Sequence, residues 1–395
     1  MNQIMKGTMD RPSVAILSAG HLCSDLCQGA VPAMLPFLVV ERHFSFTAAA
    51  GLVLATNLAS SVIQPLFGRF ADRFSAPWLM PAGLLVAGIG LVFAGFASSY
   101  WLIALSVAIS GVGIAAFHPE AARLMHTVAG RNKATGMSIF SIGGNIGFAL
   151  GPLLTTALLL ALGLRGAALL LAPMIVISCV LVRSFQRFFL YRSEGEQPGN
   201  MNHAQHPDEW GPFARLTATI VCRSMIFYGL NTFLPLYWVI VLHQSKAAGG
   251  FALTLLLAAG IIGTLIGGRV ADRYGRRTVV LSGLGVLTPL MLLFVTLGTV
   301  NAIMGLMLLV LIGFALFAPF SVMVVMGQEY LPNHVGTASG VTLGLAVTVG
   351  GIIAPVLGHV ADLYGIHMAL VGLACVPLVA IGCAFTLPRD QRANV

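Results

Sequence analysis

The chain writes one short motif three times, and the spacing of the copies decides what the rest can fold into. Gly68-Arg69-Phe70-Ala71-Asp72-Arg73 returns as Gly268-Arg269-Val270-Ala271-Asp272-Arg273, then in altered form as Gly358-His359-Val360-Ala361-Asp362-Leu363. Each copy closes a long apolar run with an aspartate and a turn, and an internal repeat of this kind sets an architecture before any local detail does. Six apolar runs separate the first copy from the second, and three separate the second from the third. If the runs cross a membrane, the even number returns the chain to one side and the odd number leaves it on the other. The arginines kept in the first two copies and lost from the third fit that parity, because Lys and Arg mark short cytoplasmic loops. The repeat predicts an all-α membrane protein: twelve transmembrane helices in two six-helix halves, each an inverted 3+3 repeat.

Composition removes the competing classes. Hydrophobic residues make up 57% of the 395 and charged residues 9%, with a mean hydropathy of +0.92. No soluble domain of this size buries that much apolar surface. The net charge of +8 would suggest nucleic acid in a soluble chain. Here the basic residues sit in loops between apolar runs, so the expected surroundings are a lipid bilayer and no nucleic acid. The expected segments are roughly 13–40, 46–70, 77–97, 100–126, 134–162, 166–189, 213–242, 247–271, 277–298, 301–328, 335–361 and 366–387. Each suffices for a hydrocarbon core of about 30 Å. They define a first half over 1–190, a polar linker over 191–212 and a second half over 213–395. With both termini cytoplasmic, all of the 21 Lys and Arg except Arg42, Arg165, Lys246 and the intramembrane Arg223 fall on the inner side, which sets the orientation. No cleavable signal peptide is expected, since the first apolar run carries His21 and Asp25. The six cysteines lie inside apolar runs and read as small buried hydrophobes.

Polar groups inside those runs are the candidates for chemistry. His21, Asp25, Gln28 and Pro32 follow one another at four, three and four residues, which puts them on one helix face. A carboxylate near mid-membrane is costly unless it meets a partner or a cavity, so Asp25 reads either as a polar lock or as a protonatable group on the transport path. The fourth helix carries Phe117-His118-Pro119-Glu120 with Arg123 one turn on, where Glu120 and Arg123 can pair. The matching stretch Phe317-Ala318-Pro319 keeps the proline but neither titratable group, so the kink reads as architecture and the His–Glu pair as a specialisation of the first half. Helix 5, Gly143-Gly144-Asn145-Ile146-Gly147 to Gly151-Pro152, and helix 11, Gly350-Gly351 to Pro355, predict close, sliding helix contacts. In the seventh helix Arg223 stands with Phe227, Tyr228, Asn231 and Pro235. Its alternatives are an ion pair with a carboxylate of another helix or a bidentate grip on an anionic substrate.

The copies ending in Ala71-Asp72-Arg73 and Ala271-Asp272-Arg273 resemble the loop signature of the major facilitator superfamily, and Gly147 to Pro152 resembles its antiporter motif, which implies export. His21-Leu22-Cys23-Ser24-Asp25, Phe117-His118-Pro119-Glu120 and Ser138-Ile139-Phe140 running into Gly143-Gly144-Asn145 resemble the fosmidomycin-resistance transporters. So do Gln328-Glu329-Tyr330-Leu331-Pro332 and Gly336-Thr337-Ala338-Ser339-Gly340, and the likeness covers essentially all twelve helices. It implies a multi-pass drug/proton antiporter of the bacterial inner membrane. One departure is the run Phe74-Ser75-Ala76-Pro77, which lacks the glycine and basic pair that complete the signature in the second copy.

The expected function is proton-coupled efflux of small drug-like compounds, anionic or phosphonate in type, by alternating access. Proton coupling is expected at Asp25, Glu120, His118 and His21, and substrate binding at Arg223, Tyr228, Asn231, Gln28, Asn145 and Phe227. Gating is expected at Asp72, Arg73, Asp272, Arg273, Arg276, Glu329 and Asp362. The alternatives are a transporter of a metabolic organic anion and, far behind, an intramembrane metalloenzyme with His21, Asp25, His118 and Glu120 as ligands. The last lacks any His-Glu-x-x-His pair or nucleophile elbow. A monomer with no cofactor and no enzymatic activity is expected.

Overall fold

A long apolar segment surrounded by lipid has to satisfy every backbone N–H and C=O within itself, which selects helix. The computed structural model describes residues 8–74, 76–190, 207–298 and 301–388, and among them there is helix and no strand. Most of the expected linker, 191–206, lies outside the described residues. In the first half the helices are α1 (Arg11–Arg42), α2 (Phe46–Phe74), α3 (Leu79–Phe96), α4 (Tyr100–Val128) and α5 (Lys133–Leu162). A 3₁₀ segment, Gly163–Leu170, leads into α6 (Leu171–Arg183) and the short α7 (Phe185–Leu190). The second half runs through α8 (Trp210–Ile240), α9 (Lys246–Tyr274), α10 (Arg276–Leu297), α11 (Ala302–Phe317) and α12 (Phe320–Tyr330). It closes with α13 (Val335–Gly340), a π-helical stretch over Val341–Leu345, α14 (Ala346–Gly351), α15 (Ile353–Tyr364) and α16 (Ile366–Phe385).

These elements recover the twelve segments. Nine described helical runs are long and apolar enough to cross a membrane, and one of them, Thr135–Arg183, spans 49 residues and holds two segments. The shorter apolar run Thr348–Tyr364 and the 31-residue α8 complete the set. The starts of α4, α9 and α11 are capped by side chains: Ser99 Oγ accepts from Leu102 N at 3.4 Å, Ser245 Oγ from Ala248 N at 3.2 Å and Asn301 Oδ1 from Ile303 N at 2.8 Å. The glycine that ends the second and third motif copies also has a visible purpose. Gly275 and Gly365 terminate α9 and α15 at φ of 92° and 85°, a left-handed turn that a side chain would oppose.

Two prolines at matching places act differently. Pro119 lies inside the continuous α4, whereas Pro319 separates α11 from α12. The tenth segment is therefore two helices rather than one kinked helix, and the carbonyls around the break are open to side chains from neighbouring helices.

The chain falls into two compact units. One comprises Met1–Phe37 and Ala55–Asn200; the other comprises Leu38–Leu54 and Met201–Val395. The expected halves differ from these units in one place, the turn from α1 into α2, which groups with the second. Polar contacts within that second unit account for this. Asp362 at the end of α15 accepts hydrogen bonds from Phe46 N at 2.7 Å, Thr47 N at 3.0 Å and Thr47 Oγ1 at 2.5 Å, so it caps the N-terminus of α2. Lys246 Nζ meets Glu41 Oε1 at 2.6 Å. A Cβ on Gly358 would lie 2.7 Å from Thr47 Cα, so the glycine of the third motif copy is what admits this approach.

Candidate functional site

In the first unit, α1 and α4 bring two imidazoles onto one carboxylate. His118 Nε2 lies 3.0 Å from Asp25 Oδ1, and His21 Nε2 lies 3.3 Å from Asp25 Oδ2. Each ring is oriented from behind. His21 Nδ1 donates to Phe140 O and His118 Nδ1 donates to Ile114 O, both at 2.8 Å. The His21 ring also stacks on Phe140, with centroids 4.0 Å apart, and meets the His118 ring edge-on at 5.0 Å. The i, i+4 spacing of His21 and Asp25 was legible from the sequence, but the arrival of His118 across 93 residues was not.

Glu120 does not join them. It is fully buried and bound by Arg123 through two hydrogen bonds, Nε to Oε2 at 3.1 Å and NH2 to Oε1 at 2.6 Å. The four groups of the metalloenzyme reading thus divide: His21, Asp25 and His118 have ligand-type atoms within 4.8 Å of one another, and Glu120 faces its arginine. Gln28 turns instead to Asn57 of α2, Nε2 to Oδ1 at 3.3 Å. Asn145 is exposed on α5, and its neighbour Gly144 is the one that abuts the cluster.

Glycine at 144 is a steric requirement. A Cβ there would come 2.5 Å from His21 Cε1 and 2.7 Å from Asp25 Oδ2. On the same face of α5, Gly143 packs on Ser18 O, Gly147 on Leu22 O and Gly151 on Gly29. The small residues predicted to make sliding contacts therefore seat α5 on α1 inside the first unit. In the second unit Gly350 and Gly351 seat likewise against Ser224 and Tyr228 of α8.

In the second unit the intramembrane cation has no carboxylate partner among the described residues. Arg223, 4% exposed, donates through Nε to Leu316 O at 2.9 Å, in the last turn of α11 before the Pro319 break. Its guanidinium lies 4.4 Å from the Phe320 ring centroid, 5.1 Å from Phe317 and 5.9 Å from Phe227. Cation–π attraction of this kind is worth about 2 kcal/mol when desolvated, which falls short of the cost of burying a charge. Phe227 and Asn231 follow Arg223 at successive helical turns. Tyr228 lies edge-on to Phe227 at 5.0 Å, and Asn231, 2% exposed, has no partner for Oδ1 among the described residues. The sequence reading missed Phe317 and Phe320. The signal was present, as Phe317 is the residue that repeats Phe117 in the proline motif.

The expected gating residues separate. Asp72 and Arg73 fall at the end of α2, where side chains lie outside the described residues. Arg276 at the start of α10 pairs with Glu329 of α12. Arg273 lies over the Tyr274 ring at 5.3 Å. Asp272 is exposed with no hydrogen bond or ion pair among the described residues, while Asp362 makes the helix cap described above. A further contact ties residues before α8 to the turn before α13. Asp208 accepts from Asn333 N at 3.0 Å and pairs with His334 Nδ1 at 2.6 Å. Desolvation raises the Asp208 pKa, but the Asn333 N–H and the His334 ring outweigh it and hold the carboxyl below the usual carboxylate range.

The twelve apolar helical segments among the described residues define a multi-pass membrane protein, and its relatives are transporters, not enzymes. The chain belongs to the Major Facilitator Superfamily, whose family profile matches residues 17–355. It is 33% identical to the MFS-type transporter YfnC of Bacillus subtilis, over 98% of this chain and 95% of that one. It is 31% identical to the fosmidomycin resistance protein of Escherichia coli, over 98% and 96% respectively. Among solved structures, a bacterial homologue of the human lysosomal transporter Spinster matches with a TM-score of 0.80 at 16% identity, over 95% of this chain and 96% of the other. That likeness shows the fold.

Proposed function

We propose that this transporter exports small compounds bearing an anionic group on an apolar body, phosphonates among them, in exchange for protons. The observation that carries the reading is Asp25, a carboxylate inside a membrane-spanning helix, held between two imidazoles. Acids in such positions mark proton or substrate pathways, because a structural role rarely compensates their burial. Asp25, His21 and His118 are assigned the proton. Glu120 is assigned to structure, holding Arg123. Arg223 is assigned the anion and the phenyl rings around it the apolar body. Phe227, Tyr228 and Asn231 line the same side of α8. Export is supported by the antiporter-type segment Gly147 to Pro152 and by likeness to a protein named for fosmidomycin resistance.

The Lys and Arg distribution supports an orientation with both termini cytoplasmic, and likeness to bacterial transporters supports a place in a bacterial inner membrane; the protein is assigned as a monomer without nucleic acid. A cysteine introduced at Asn200 is then protected from impermeant thiol reagents in intact cells; ready labelling reverses the orientation. Gating falls to the motif ends: Asp72, Arg73, Asp272, Arg273, Arg276 and Glu329 inside, Asp362 outside.

The test is a susceptibility panel, fosmidomycin included, on cells with and without the gene, beside transport into inverted membrane vesicles with and without a proton gradient. Resistance and gradient-dependent uptake into the vesicles are expected, with both lost in Asp25→Asn. Uptake that ignores the gradient overturns proton coupling. A panel that shows protection only against cations overturns the substrate class.

A further inference from the structure

The hydrogen-bond directions around Asp25 specify where its protons reside. A main-chain carbonyl can only accept, so His21 Nδ1 beside Phe140 O and His118 Nδ1 beside Ile114 O must each carry a hydrogen. A neutral ring protonated at Nδ1 has a bare lone pair at Nε2. Both Nε2 atoms face the Asp25 carboxylate, at 3.3 Å and 3.0 Å. A lone pair set against a carboxylate oxygen at hydrogen-bond distance is repulsive, so the His118 contact, a hydrogen bond at 3.0 Å, requires a proton on its axis; His21 Nε2 meets the other oxygen as an ion-pair contact, which favours a proton on that nitrogen. The carboxylate devotes a different oxygen to each ring, Oδ2 to His21 and Oδ1 to His118, so the two positions do not compete for one acceptor atom.

We propose that His21, Asp25 and His118 form a two-proton unit, with one exchangeable proton on each Nε2 and both Nδ1 hydrogens fixed. The assignment rests on the proton-coupled reading above and adds the number of protons and the atoms that hold them. The unit passes from a net charge of −1 through 0 to +1 as its positions fill.

Among the described residues no other charged side chain makes an ion pair or hydrogen bond with the unit. On α1, Cys23 points its thiol at Pro173 O at 3.9 Å and Cys27 points at Met174 Sδ at 3.8 Å. On α4, Glu120 and Arg123 satisfy each other. From α5 come Phe140 and Gly144, neither titratable, and the missing side chain at Gly144 is what allows His21 Nε2 and Asp25 Oδ2 to close.

Imidazole ¹⁵N spectra of the full chain, labelled at histidine and held in lipid nanodiscs, test this between about pH 5 and about pH 9, a range that brackets the ordinary histidine value. His21→Gln and His118→Gln assign the two rings. The expected result is that both rings titrate, each keeping its hydrogen on Nδ1 and losing only the one on Nε2. In Asp25→Asn both titrations shift, and in Glu120→Gln neither does. A ring whose high-pH form carries its hydrogen on Nε2 overturns the proposal. So does titration of one ring alone, or an Asp25→Asn spectrum identical to that of the unaltered chain. The vesicle assay separates this from the parent reading. Two titrating rings without gradient-dependent transport leave the two-proton unit standing and remove the coupling. Gradient-dependent transport with non-titrating rings removes the unit alone.

Discussion

Helices α1 and α8 each open a half of the molecule, and they carry opposite chemistry. On α1 a carboxylate is held between two imidazoles, every member having at least one polar partner. On α8 a guanidinium sits among three phenyl rings and donates, among the described residues, to one carbonyl. Both sites draw on a main-chain carbonyl before a matching proline, at different offsets: Ile114 O, five residues before Pro119, and Leu316 O, three before Pro319. In each half a carbonyl deep in the membrane thus accepts from a side chain. What differs is the side chain placed against it. On the proposed reading the first half stores protons, which bind by small rearrangements among titratable groups, and the second holds a larger anion, which needs an uncompensated cation and an apolar wall.

The largest effect that sharpens this contrast is expected from Asp25→Asn. It removes the charge and one of the two acceptor oxygens that face the imidazoles, so gradient-driven transport in vesicles falls to that of vesicles without the protein. Equilibrium binding to the purified variant persists and becomes less dependent on pH. Loss of binding together with transport would merge the two sites into one and break the comparison.

Arg223→Ala comes next. Truncating a buried charged partner costs about 2–5 kcal/mol, which is roughly 30-fold or more in dissociation constant. The loss appears for anionic compounds in equilibrium binding, while neutral analogues of the same body retain their affinity. Equal losses for both would reassign Arg223 to packing.

Glu120→Gln tests the assignment of this acid to structure. Two charge-assisted bonds to Arg123 are weakened, and destabilisation of about 2 kcal/mol is expected as a lowered thermal midpoint in detergent. Gradient dependence that vanishes at unchanged stability would return Glu120 to the proton path.

A smaller effect, about 1 kcal/mol, is expected at the cap that Asp362 gives α2. Asp362→Asn should speed labelling of a cysteine placed at Thr47, whereas Asp272→Asn, whose carboxylate has no partner among the described residues, should not alter it.

The smallest is a pH effect at Asp208. Its carboxyl is held below the ordinary value of about 3.9, so its contact stabilises fully above that value and is lost as pH falls through the lowered one. Amide exchange at Asn333 should rise only in strongly acidic solution, and in Asp208→Asn at every pH.

Local spacing made much of this legible. Apolar run lengths, the parity of the Gly-to-Asp copies and the Arg asymmetry yield the twelve helices, and the four-residue step from His21 to Asp25 yields half the cluster. Helical periodicity says which residues share a face and is silent on which helix that face meets. Hence the sequence grouped Glu120 with Asp25, although the i, i+3 arginine on its own helix claims it. For the same reason Phe320 escaped notice: nothing along the chain reveals that the break at Pro319 turns it towards α8. Asn145 was chosen for its polarity, but the neighbouring glycine faces the site.

The contact of α5 with α1 has a mechanical meaning. At Gly143, Gly147 and Gly151 backbone rests on backbone, with no rotamer between them to absorb displacement. The two helices form a laminated strip, so a tilt imposed on one reaches the other without lost motion. His21 and Asp25 ride on that strip. Under the proposed coupling, a change of charge there acts at the end of a stiff lever, and stiffness, more than affinity, determines how much of the proton's energy arrives at the far end.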